Sequence, residues 1–185
     1  MPNLLPFRDY SEHDVINLYS CNTVATKGTL VRLTTPIDEN VLNLSNTSVG
    51  NNFTNTLSNN FDIVGRVDIV STFNVVPSAL GLLLYDVRET DENGERLIFN
   101  PRKMAEMGVV MPIIHAVPIL TRGIVLINDI DETPRSSGSG GPPVLGAAAY
   151  VGNDGRIGVN GAIKIGKFLS TKDSDGYCLV KVSFD

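Results

Sequence analysis

Hydrophobic positions along this chain fall in short alternating runs separated by small and polar residues. "GTLVRLTT" at 28–35 alternates and is rich in β-branched side chains, so it predicts a strand. "DIVGRVDIVS" (62–71), "ALGLLLYDVRE" (79–89) and "VVMPIIHAVPILTRGIVLIND" (109–129) continue the β-type pattern. So do "VLGAAAYV", "RIGVN", "AIKIGKFLS" and "YCLVKVSF" after position 143. Hairpin cues lie between such runs: the Asn-Gly pair in "TDENGERL" (90–97), then "GNDGR" (152–156) and "KDSDGY" (172–177). Pro112 and Pro118 each remove a ladder donor, which favours edges or bends over a central strand. Only "NPRKMAEMG" predicts a clear helix, with Asn100 as cap, Pro101 in the first helical position and Gly108 ending it. In "SEHDVINLY" a single helical turn is expected, capped by Ser11. Short strands with Gly-rich turns mean a mainly-β fold, one barrel or sandwich with one or two short helices.

Residues 1–23 carry little periodicity and read as an extended N-terminal arm, with the β-rich domain over 24–185. Within that arm Leu4, Leu5, Phe7, Tyr10, Val15 and Ile16 offer large side chains with no long element of their own to cover them. They are the expected docking residues. Positions 40–60 contain no charge, and eight of these 21 residues are Asn. Asn and Ser bond their own neighbouring backbone, so a long polar loop is expected there. A second loop, rich in Gly and Pro, is expected over 132–143. The run "VVMPIIHAVPIL" is too apolar for a free edge; a neighbouring copy is the expected cover, with Ile113, Ile114 and His115 in the interface.

Two similar stretches, "TKGTLVRL" (26–33) and "TRGIVLIN" (121–128), raise the question of phosphate binding. A phosphate loop needs its glycines after a strand and before a helix. Here the order is reversed, so Gly28 and Gly123 are expected to serve architecture at strand entries.

Charge and composition narrow the functions. With 15 basic and 20 acidic residues among 185, the net charge is −5 and no basic run exists, which argues against nucleic acid as a partner. Apolar stretches are too short or too proline-broken to span a membrane, and the start lacks the pattern of a secretion signal. His13 and His115 are the only histidines. With Cys21 and Cys178 they form no metal-ligand spacing, and no nucleophile elbow is present. No cofactor, no metal and no catalysis are expected. The cysteines are expected as free thiols; a disulfide joining the chain's ends or two subunits is the alternative.

Five pieces together carry a resemblance: "FRDYSEHDVINLYS", "KGTLV", "GLLLYDV" with "AVPILTRGIVLIND", "GAAAYVGNDGRIGV", and the ending "IGKFLSTKDSDGYCLVKVSF". In these the chain resembles the head decoration, or cement, proteins of tailed bacteriophages. The resemblance implies a small β-barrel or β-tulip domain, often a homotrimer, that binds the major capsid protein on the exterior of the virion and braces the shell. No single residue's role transfers with it. Two other readings stay open: another virion component such as a head fibre, knob or vertex protein, or a β-barrel ligand-binding module or enzyme. The last would use His115 and the acidic hairpin "RETDENGER" to line a pocket.

Overall fold

The structure, a computed structural model, describes residues 4–6, 9–36, 65–71, 79–134 and 140–184. In chain order its strands are β1 (Leu4–Pro6), β2 (Val15–Cys21), β3 (Leu30–Pro36), β4 (Gly65–Ile69), β5 (Gly81–Leu83), β6 (Asp86–Val87) and β7 (Val109–Val110). After these come β8 (Ala116–Leu120), β9 (Arg122–Ile127), β10 (Ile130–Asp131), β11 (Ala148–Val151), β12 (Ile157–Gly158), β13 (Lys164–Phe168) and β14 (Cys178–Ser183). One α-helix, α1 (Pro101–Met107), and a short 3₁₀ turn at Leu97–Phe99 complete the described elements. The mainly-β fold expected from the alternation is the fold that forms.

Strands β2-β4-β3-β5-β8 close into a barrel, and a seven-stranded sheet runs in the order β1-β9-β14-β13-β11-β12-β10. Strand alternation divides the apolar residues between two cores. Cys21, Val31, Val67, Leu83, Val117 and Ile119 fill the barrel, with Ala25 and Val87 packed among them. Their neighbours Leu30, Leu82 and Leu120 join Val125, Ile127, Phe168, Val180 and Val182 in the other core, so the seven-stranded sheet covers the outside of the barrel. Thr121 makes the corner between them. Its backbone N–H and hydroxyl both donate to the Asp14 carbonyl, at 2.8 and 3.0 Å.

Of the two placements its missing N–H favours, an edge or a bend, Pro118 does not take the edge. It lies inside β8, which pairs with β2 on one side and β5 on the other. The register with β2 passes from Ile16↔Ile119 to Tyr19↔Val117, so two β2 residues stand opposite Pro118. Its carbonyl accepts the Leu84 N–H at 3.0 Å, so its nitrogen turns to the same side, just past the end of β5, where the ladder stops and no donor is required.

The helix ends as its sequence dictates. The Asn100 side chain accepts from the Lys103 N–H, Pro101 opens the helix, and Gly108 closes it at φ 62°. "GNDGR" joins β11 to β12 and "KDSDGY" leads from β13 to β14, both antiparallel pairs. "TDENGERL" also turns back, but a single bridge, Thr90↔Arg96, is all that pairs its flanks. β6, which precedes this turn, pairs in parallel with β7, and α1 lies in the connection between them. "SEHD" makes one turn, with Asp14 N–H donating to the Ser11 carbonyl at 2.9 Å, and then β2 begins. The Asn-rich stretch at 40–60 lies outside the described residues, as do 135–139 of the Gly/Pro loop.

The described N-terminal strand does not project. β1 pairs antiparallel with β9, Leu4 opposite Ile127 and Pro6 opposite Val125. Val15 and Ile16 belong to the barrel through β2. The expectation that nothing within the chain covers these residues is therefore corrected for Leu4, Val15 and Ile16: the edge of β9 offers an unpaired ladder, which β1 takes, and β2 joins the barrel.

Candidate interaction surface

The two Thr-cation-Gly stretches receive this N-terminal segment. In the first, Thr29 N–H donates to the Thr26 carbonyl at 3.2 Å, and Gly28 sits third in the turn at φ 89°. That is the turn position where a positive φ favours glycine. A Cβ on Gly28 would lie 3.0 Å from the Leu4 Cβ. Gly123, by contrast, lies inside β9 rather than at a turn. A Cβ there would come 2.9 Å from the Tyr10 ring, whose hydroxyl donates to the Ile124 carbonyl at 3.1 Å. Both glycines are architectural, and in both the partner is the chain's own start.

Among the six expected docking residues, Leu4 is 1% exposed and in the core, so it is not free for a partner. Leu5, its neighbour on the other face, is 40% exposed. Tyr10, Val15 and Ile16 are half-buried against the chain's own core or strands. Phe7 lies outside the described residues.

The expected interface residues are placed differently. Ile113, Ile114 and His115 are all exposed, on the turn between β7 and β8. Ile113 N–H donates to the Cys21 carbonyl at 2.9 Å and His115 N–H to the Met111 carbonyl at 3.4 Å, so the turn is pinned at both ends. Ile113 has φ 68°. For a β-branched residue this left-handed conformation is strained, by about 1–2 kcal/mol. The strain presents rather than hides the side chains: Ile113 is 48% and Ile114 54% exposed. Val24, on the connection that follows Cys21, is 61% exposed.

Phe99 was missed by the sequence reading. It immediately precedes the Asn100 cap, where an apolar residue commonly packs back onto the helix's first turns. Here it is 81% exposed. The apolar run "LIF" ahead of the cap was the available signal.

Charge is locally well arranged. The buried Asp91 carboxylate pairs with Lys103 and accepts the N–H groups of Asn93 and Glu95, both at 2.8 Å. The Lys103 hydrogen bond, aided by those backbone donors, holds the Asp91 carboxyl below the ordinary aspartate range. The acidic hairpin is thus a tied turn. Neither it nor His115 lines the depression beside Lys164 and Lys181 or the one beside Tyr85 and Gly108. Cys21 and Cys178 are buried in separate cores and unbridged. Burial pushes the Cys178 thiol up to about 12 and raises Cys21 as well. Among the described residues no group of three or more acidic, His or Cys side chains could hold a metal ion, and no helix is long and apolar enough to cross a membrane.

Comparison with family models, with curated proteins and with solved structures finds no match.

Proposed function

We propose that this protein is a structural subunit, without catalysis, that binds the outer surface of an assembled tailed-phage capsid and stabilises it. The observation that carries the reading is the strained turn at Ile113–Ile114, which holds two branched apolar side chains in solvent. Backbone strain persists where the surrounding structure enforces it, and it gathers at sites with work to do. Burying the exposed half of such a side chain is worth about 1 kcal/mol. The sequence resemblance supplies the setting, and the turn supplies a contact between copies around a threefold axis.

A subunit that binds only the assembled shell stabilises that state by mass action, however small each interface is. The major capsid protein is the proposed partner and the capsid exterior the proposed location.

The test mixes the purified protein with expanded shells that lack it and sediments them. Saturable co-sedimentation at many copies per shell is the expected result. Binding at only a few sites would move the protein to a fibre, knob or vertex role, and no binding would reject the virion reading. Ile114→Asp should weaken self-association while leaving the melting temperature near that of the wild type. Unchanged association in that variant would remove the turn from the interface.

A further inference from the structure

The outer face of the seven-stranded sheet carries charge of the opposite sign to the whole chain. Alternation along β13 and β14 sends Val180, Val182 and Phe168 into the core, leaving Lys167 and Lys181 on the other side. These two lysines are direct cross-strand partners. Lys164, paired with Tyr150, is exposed on the same sheet. Together Lys164, Lys167 and Lys181 rim a depression of about 400 Å³ with Ser183 at its edge. Arg122, exposed and opposite Ser183, extends the cationic row. No described residue places a carboxylate within ion-pair distance of any of the three lysines.

Like charges directly opposite one another in a sheet are destabilising. A protein of net charge −5 has enough carboxylates to avoid such a pairing, yet here the cations converge on a concavity. We infer that this face is a docking site for an acidic patch on a partner protein, whose carboxylates enter the depression between Lys164, Lys167 and Lys181.

A protein rather than a nucleic acid is favoured by what borders the cations. Leu126 pairs with both Leu5 and Leu179 in one row across the sheet, and Ile124 pairs with Lys181 in the next. An aliphatic strip beside a charged depression matches the apolar-and-polar mosaic of protein interfaces. One aromatic, Tyr150, pairs with Lys164, and a single ring is no platform for successive bases. The inference does not require the capsid reading, since it names the chemistry of the partner's surface and not its source.

The probe is an oligoglutamate peptide, titrated into the full chain and followed by backbone amide NMR at low and at physiological ionic strength. Shifts centred on Lys164, Lys167 and Lys181, weakened by salt, are expected. The double variant K167E/K181E should bind the peptide roughly threefold to tenfold more weakly. The neutral variant K167Q/K181Q should also bind more weakly yet melt no lower than the wild type, because it relieves the like-charge pair. Absent or scattered shifts, or unchanged affinity in both variants, would overturn the inference. Tighter binding of a DNA oligonucleotide of equal charge would overturn it too, in favour of a phosphate-reading face. A failure of wild-type protein to bind shells, with peptide binding intact, would count against the capsid reading alone.

Discussion

Leu4→Ala tests whether the chain's start belongs to the fold or to a partner. Leu4 is 1% exposed, packs in the larger core and seats against the Gly28 turn. Truncating a fully buried leucine to alanine costs about 2–5 kcal/mol, the spread reflecting how far the site collapses. Leu4 lies on a short edge strand that can shift toward the gap, so about 3 kcal/mol is expected here. For a chain of this size each kcal/mol lowers the melting temperature by about 2–4 °C, giving a fall of about 6–12 °C. Leu5→Ala is the internal control, because Leu5 stands one residue away on the outer face at 40% exposure. Its cost should stay below about 1 kcal/mol. The chain has no tryptophan, so thermal melts followed by far-ultraviolet circular dichroism are the suitable assay. Equal small losses for both variants would refute the placement of β1 in the sheet. Loss of shell binding by Leu4→Ala at an unchanged melting temperature would restore the segment as a free anchor.

Asp91→Asn should reduce stability at neutral pH and flatten the acid limb of the stability curve. The folded-state pKa of Asp91 is depressed, so its contribution is present above the unfolded carboxylate value and is lost as pH falls through the folded one. Denaturant midpoints of both proteins should therefore converge as pH falls below the ordinary aspartate range; parallel curves across the acid range would exclude the Lys103 pair as a source of stability. Ile113→Gly should raise stability by about 1 kcal/mol through release of the left-handed strain, less the entropy glycine adds to the unfolded chain. A fall in its melting temperature would show that Ile113 packs to advantage where it stands.

Local signals in this sequence translated directly into structure. Asn100, Pro101 and Gly108 set the helix because capping is decided within a few residues, and "GNDGR" set a hairpin for the same reason. Pairing at long range was not legible. Nothing near Leu4 states that its partner is Ile127, because either edge of any strand would satisfy the same backbone groups. Pro118 misled for a related reason: its missing donor falls opposite the end of β5, a property of the partner strand rather than of the proline. At the candidate surface, the Ile113–Ile114 run was visible as excess apolarity in a proline-flanked stretch. The lysine face was not, since Lys181 lies a strand away from Lys164 and Lys167 and only the β13–β14 register sets Lys167 against Lys181.

The sheet order also fixes when the molecule can be completed during synthesis. Every barrel strand lies before Thr121, so the barrel can close while the remaining chain is still emerging. β9, however, waits for β14 on one side, and β14 follows every other described strand. Until Cys178–Ser183 arrives, Leu30, Leu82 and Leu120 face water on a barrel that is otherwise formed. Partly folded chains that expose such surface are prone to aggregate. A nascent chain stalled after β9 thus displays a defined apolar row, and that row is where a chaperone would bind.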